Sequence, residues 1–277
     1  FGYCSNSSTC PSNRDWVNSY QLSKGLSPNT VLKHHANIRT ALDYAFKHNL
    51  ISYNFADKVE LPKKEKYIAQ YYTVDEINEL LSFFKSSRMY TPLLIASTLG
   101  LRRSEVLGLQ WDSIDFKQKR IIIQRKTVYV QNTKEIITKS TMKNKSSRRS
   151  LPLPDILFEH LEWLYKVQKE NRKKLQEKYC YKYTNFVCVD KYGELIKPNY
   201  LTCTFKKVTR QHNFKSLRFH DLRHSCASIL ISMGYSIKEI QEWLGHSDYN
   251  TTANIYAHID YKAKMSMAQD INHVIKV

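Results

Sequence analysis

The chain has 277 residues, with 43 Lys and Arg against 25 Asp and Glu, and a formal net charge of +18. Hydrophobic residues make up 42%, enough for a real core, which excludes a disordered basic tail. The apolar runs fall short of the ~18 residues that mark a membrane span, and the N-terminus lacks a signal-peptide pattern, so the charge points to a polyanionic partner, nucleic acid or an anionic membrane surface.

Residues 1–22 open on Phe1-Gly2-Tyr3 and a Ser/Asn/Cys-rich stretch without an initiator Met, so a start inside a longer protein is expected. Six cysteines are too few for a disulfide scaffold. Cys4 and Cys10 can pair or stay free. Cys180, Cys188, Cys203 and Cys226 are scattered, and the spacing of cysteine and histidine suggests no zinc site. Ser27-Pro28 is a helix start, and Leu32, His35, Ile38, Leu42 and Ala45 recur at helical spacing, which predicts an amphipathic helix over 28–48. A short helix over Tyr53–Val59 and a polar linker through Pro62 follow.

Thr73-Val74-Asp75-Glu76 is a capping-box signature, continued as a helix by Ile77, Leu80, Leu81 and Phe84. Thr91–Thr98 reads as a second apolar helix and Ser104–Leu109 as a third, short one. The period then changes. Ile121-Ile122-Ile123, Val128-Tyr129-Val130, Ile136-Ile137 and Leu151-Pro152-Leu153 predict a small antiparallel sheet from about 113 to 153. A long helix is expected from Pro154 to about Glu177, then a brief strand over Phe186–Val189. Further helices are expected near 198–211, 220–233, 236–243, 251–257 and 262–276. Ser236 and Glu239 form another capping box, and Gly245 suits the C-terminal cap.

Four stretches can carry chemistry. His220-Asp221-Leu222-Arg223 places an imidazole and a guanidinium at i and i+3 on a helix face: a possible proton acceptor beside a bidentate phosphate ligand. Gly100-Leu101-Arg102-Arg103-Ser104-Glu105 sets two arginines at a helix start, with Glu105 able to orient a guanidinium. Lys143-Asn144-Lys145-Ser146-Ser147-Arg148-Arg149 sits between strands as an expected hairpin loop, able to bring an ammonium to a phosphate ester. Trp243-Leu244-Gly245-His246 ends a helix, and Tyr256 follows; a phenol can attack phosphorus, but with a pKa near ~10 it needs help. Each stretch alone is also compatible with ordinary solvated helix ends and charged turns.

Taken together, their order and contexts resemble the tyrosine recombinase, or phage integrase, family, and most closely the integrases of conjugative transposons from Gram-positive bacteria. The resemblance rests on Thr98–Glu105, the Lys143 loop, His220–His224, Leu244-Gly245-His246 and Ile255-Tyr256. It implies a mainly α fold with a small antiparallel β-sheet, in which a helical core-binding domain and a mixed α/β catalytic domain form a clamp. The expected boundaries are 1–62 for an N-terminally incomplete core-binding domain, 63–70 for a linker, and 71–277 for the catalytic domain with a C-terminal tail helix.

The same resemblance implies Arg102, Lys143, His220, Arg223, His246 and the nucleophile Tyr256 as catalytic residues, with Glu105 in support. Asn144 replaces the Thr common after the lysine in relatives, leaving Lys139 and Lys145 as rivals of Lys143. Lys117, Lys119, Arg120, Arg125, Lys126, Lys145, Arg148, Lys206, Lys207, Arg210 and Lys215 are expected to touch DNA phosphates. The implied partners are double-stranded recombination sites, a homo-tetramer on two duplexes and an accessory excision factor, with no membrane and no cofactor. The implied setting is the bacterial cytoplasm. A phage integrase and an Xer-like dimer resolvase are the alternatives. A type IB topoisomerase and a catalytically inactive DNA-binding protein are the more distant ones.

Overall fold

In the computed structural model, the structure describes residues 16–65, 70–130, 135–139 and 149–245. The contacts divide the chain into two units, Phe1–Ile68 and Ala69–Val277. The helices expected near 251–257 and 262–276 lie outside the described residues.

In the first unit, α1 (Trp16–Ser23) precedes α2 (Pro28–Lys47). Ser27 caps α2 by accepting from the Thr30 N–H at 3.3 Å, and Pro28 occupies the first turn, where its missing N–H costs nothing. Val31 and His35 are buried, whereas Ile38, expected on the buried face, is exposed. The chain then folds back onto α2 through Asn54. Its amide donates to the Arg39 carbonyl (3.1 Å) and Asp43 Oδ1 (2.6 Å), and its oxygen caps a 3₁₀ turn, Phe55–Lys58, by accepting from Ala56 (2.9 Å).

The second unit is built around α4 (Tyr90–Leu99). Leu93, Leu94, Ile95, Ala96 and Leu99 are all buried, so this helix is apolar on nearly every side and fills the core instead of edging it. Against it pack α3 (Val74–Phe84), α5 (Arg103–Leu107), α6 (Asp155–Leu175) and α8 (Asp221–Ser232). The expected capping box on α3 is closed in both directions, with Thr73 Oγ1 and Glu76 Oε2 each accepting from the other's N–H. The remaining helices are α7 (Pro198–Gln211) and α9 (Ile237–Leu244), and the Ser236–Glu239 box opens the latter. The expected strand over Phe186–Val189 is reduced to isolated bridges, Gln110 with Phe186 and Val189 with Leu195. Among the described residues, no helix is long and apolar enough to cross a membrane.

The β region differs from the single sheet expected. β1 (Ile114–Asp115), β2 (Arg120–Ile123) and β5 (Arg149–Pro152) form one antiparallel sheet in the order β1-β2-β5. β3 (Lys126–Val130) and β4 (Glu135–Lys139) form a separate antiparallel pair. β5 therefore pairs with β2, not with β4, and the loop expected around Lys143 lies outside the described residues. Strand composition locates strands, but pairing is decided by which face each can bury. Ile121 and Ile123 of β2 and Leu151 of β5 turn into the core, while β3 lies beside α5, so close that a Cβ at Gly108 would come within 2.9 Å of the Lys126 and Thr127 backbone.

Gly100 ends α4 in the left-handed region at φ +61°, and a Cβ there would collide with the side chain of Leu244 and press on Cys226. The turn thus requires glycine twice over, for its backbone and for the close approach of α9. Gly100→Ala should cost about 3 kcal/mol, the sum of a left-handed non-glycine residue and core overpacking. A denaturant midpoint unchanged from wild type would show that the turn tolerates a side chain.

Candidate active site

The site is organised by the C-terminus of α9. The last carbonyls of a helix have no intrahelical donor, and they form the negative end of its dipole. Gly245, in the left-handed conformation at φ +67°, turns the chain and returns its N–H to the Gln241 carbonyl at 2.8 Å. The three carbonyls left over are each taken by an arginine from a different element. Arg149 Nε donates to Trp243 O (2.8 Å), Arg223 Nη2 to Leu244 O (2.7 Å) and Arg102 Nη2 to Gly245 O (3.1 Å).

Arg102 is the N-cap residue of α5. Glu105, one turn on, accepts from the Arg102 N–H with Oε2 (3.0 Å) and from Arg102 Nη1 with Oε1 (2.8 Å). The carboxylate thus closes the helix start and orients the guanidinium, as the sequence suggested. Glu105 is 3% exposed, against 35% for the Arg102 side chain. Burial works to raise its pKa, but the charges of Arg149 and Arg102 and the Arg102 hydrogen bonds prevail and hold it below the ordinary carboxylate value.

Arg223 is almost wholly buried, and its Nη1 donates to Gly100 O at 2.7 Å. Burial, followed by repulsion from Arg102, lowers its pKa to about 9, so it stays charged at neutral pH. His220 is the N-cap of α8 and is exposed, whereas Arg223, one turn on, is buried. Crowding by protein, then the positive charges of His224 and Arg223, depress the His220 imidazole to about 4, which leaves it neutral at pH 7. Its ring meets His224 edge-on at 5.5 Å.

Arg102 and His220 line one open cavity of about 390 Å³, together with Arg103, Arg218 and Thr202. Arg218 and Thr202 were not singled out from the sequence. Arg103 Nη1 donates to Thr202 Oγ1 (2.6 Å) across from α7. Arg218 donates from its backbone N–H (2.7 Å), Nε (3.1 Å) and Nη2 (2.8 Å) to the buried Asp221, which fixes the turn that presents His220. The third missed residue is Arg149, whose side chain is 7% exposed and whose Nη2 lies 3.4 Å from Glu105 Oε2. The signal was present: in β5, Arg149 alternates with Leu151 on the inward face.

Lys143, Lys145, Arg148, His246 and Tyr256 lie outside the described residues. Of the other cations expected at phosphates, Lys119 pairs with Asp155 (2.8 Å), Arg120 with Asp115 (3.4 Å), Arg125 with Asp112 (2.5 Å) and Lys215 with Glu76 (3.9 Å). Lys126 is half-buried and Lys117 exposed. Lys206, Lys207 and Arg210 share the exposed side of α7, opposite the buried Leu201, Phe205 and Thr209.

Residues 70–263 match the model of the phage integrase family. A XerC-like tyrosine recombinase of Caldanaerobacter subterraneus subsp. tengcongensis is 28% identical over 262 residues, covering 90% of this chain and 67% of that protein. The ICEBs1 integrase of Bacillus subtilis is 24% identical over 256 residues, covering 91% and 67%. Among solved structures, the Tn1549 transposon integrase in complex with a circular intermediate DNA shares the fold. Its TM-score is 0.73 at 20% identity, covering 92% of this chain and 84% of that one.

The Glu105 carboxylate gives a pH signature. Its folded pKa lies below the ordinary 4.5, so its contribution to stability is complete above that value and is lost as pH falls through the folded one. Glu105→Gln should cost about 3 kcal/mol at neutral pH, by leaving buried arginines without their counter-charge. The gap from wild type should narrow progressively below pH 4.5. Urea midpoints of both proteins across that range measure it; a gap independent of pH would rule out the ionised carboxylate.

Proposed function

The chain belongs to the phage integrase family, and on that premise we propose that it cleaves and rejoins DNA at specific sites through a 3′-phosphotyrosyl intermediate. The Tyr256 phenol oxygen bonds to the scissile phosphorus as the bond to the 5′-oxygen breaks, and its proton leaves toward the neutral imidazole of His220. Lys143 protonates the departing 5′-oxygen. The 5′-hydroxyl of a partner strand then attacks the phosphotyrosyl ester, restores the phosphodiester and frees the tyrosine. One ester is exchanged for another at each step, so the bond energy is conserved and no nucleotide cofactor is consumed.

Negative charge grows on the nonbridging oxygens in the transition state. Arg102 and Arg223 neutralise it, and His246 donates a further hydrogen bond. The observation that carries this reading is the seating of both arginines on successive carbonyls of one helix end, with Arg102 and His220 facing the same cavity. A guanidinium already held by fixed acceptors needs no reorganisation when the charge appears.

The partner is double-stranded DNA, in keeping with relatives named as recombinases and integrases and a structural neighbour determined on DNA. The finer reading is integration and excision of a conjugative transposon by four protomers on two duplexes, aided by an accessory excision factor. The first unit supplies the core-binding half and the second the catalytic half. A second reading, Xer-like resolution of dimers, draws on the XerC-like relative. Paired recombination sites separate them: joining of unlike sites supports the integrase, and reaction restricted to identical sites supports the resolvase.

Tyr256→Phe should abolish the covalent protein–DNA adduct while leaving DNA affinity nearly unchanged; an adduct in that variant would relocate the nucleophile. Arg223→Lys should slow cleavage by about 100-fold or more, because one ammonium cannot hold two carbonyls and still face a phosphate. Binding should weaken by about a thousandfold between low and moderate salt, and a flat salt response would exclude binding dominated by phosphate contacts.

A further inference from the structure

Of the three arginines on the α9 carbonyls, Arg102 lines the cavity, whereas Arg149 and Arg223 are buried behind it. Its guanidinium lies between two things the reaction needs fixed. On one side is Glu105, which holds the Arg102 backbone and guanidinium. On the other is the Trp243 carbonyl, beside the Leu244 and Gly245 carbonyls that hold Arg223 and Arg102. Its side chain is 7% exposed, and Nη1 has no hydrogen-bond partner among the described residues. A buried guanidinium with an unmatched donor costs stability, and an apolar residue could fill this inward strand position more cheaply.

We infer that Arg149 is a positioning residue for cleavage, which sets the distance between the Glu105–Arg102 unit and the C-terminal turn of α9. This rests on the recombinase reading above. Without Arg149, the hydrogen bond that still joins the α5 start to the α9 end among the described residues is that of Arg102, the residue that must face the phosphate. With it, the two elements are held by a buried strut, leaving Arg102 to meet the substrate. Sequence adds a reason for this strut to come from β5: Arg149 directly follows the segment that carries Lys143, and Trp243 lies shortly before His246.

The charges facing Glu105 are Arg102 from the start of α5, Arg149 from β5 and Arg223 from α8. Removing Arg149 removes one of the two charges that hold the carboxylate ionised, so Glu105 should take up a proton at higher pH and release Arg102 there.

The test is the rate of covalent adduct formation by the full chain on a nicked duplex carrying the core sequence recovered from the wild-type adduct. If wild type forms no adduct, the recombinase reading itself fails. If it does, Arg149→Met should lower the rate about tenfold or more, with DNA affinity within about threefold of wild type. The acid limb of its rate profile should move up by about half a pH unit or more. Arg149→Lys keeps the charge but cannot fork between two acceptors, so its acid limb should stay in place while the rate falls about fivefold. A folded Arg149→Met protein with an unmoved acid limb overturns the inference, and so does wild-type rate in Arg149→Lys, which decides the matter if the methionine variant does not fold.

Discussion

Three arginines drawn from β5, α5 and α8 end on three consecutive carbonyls of α9, and the site depends on that seating. The carbonyls are available because a helix C-terminus leaves its last acceptors unpaired, and Gly245 turns the chain away without covering them. Each arginine satisfies an acceptor that would otherwise be left bare, and each brings a positive charge to the negative end of a helix dipole. Elements far apart in sequence are thereby brought to one point by hydrogen bonds with strict directions.

That arrangement concentrates positive charge. Arg102, Arg149 and Arg223 share one buried carboxylate, Glu105, so the cluster holds more positive than negative charge in a poorly hydrated place. Repulsion and burial both act against the Arg223 charge, and this appears as its lowered pKa. On the proposed function, a phosphate entering the cavity would relieve the excess, so that a cost in the folded protein becomes an advantage in the complex. The depressed His220 imidazole follows first from crowding by protein and then from the charges of His224 and Arg223.

Packing enforces the geometry from the other side. α4 is buried nearly all round, and Gly100 lets the chain leave its end close enough for Leu244 to lie against it. Arg223 Nη1 then reaches the Gly100 carbonyl, so one guanidinium joins the end of α4 to the end of α9. Asp221 performs a similar task at the start of α8, where its carboxylate gathers three donors of Arg218 and so fixes the turn carrying His220. The surface cations that pair with neighbouring carboxylates are held in place at modest energetic gain, while those on α7 share one exposed side of a helix.

The sequence by itself determined most helices, because caps and periodicity are local. Ser27, Thr73 and Ser236 start their helices as read, and Gly100 and Gly245 end theirs. It also determined the family, since Arg102, the His220–Arg223 motif and Tyr256 keep their order and contexts whatever the fold, and it suggested that Glu105 orients Arg102. Only the tertiary structure decided how the strands pair: local composition marks Arg149–Pro152 as a strand but does not say that its partner is β2 instead of β4. It also separated the buried Arg223 from the exposed His220, and made Arg149, read only as part of a charged loop, a buried partner of Glu105 and of the Trp243 carbonyl. The physical reason is the same in each case. A guanidinium has no preferred neighbour in sequence, and its partner is whichever acceptor the packed core leaves unpaired within its reach.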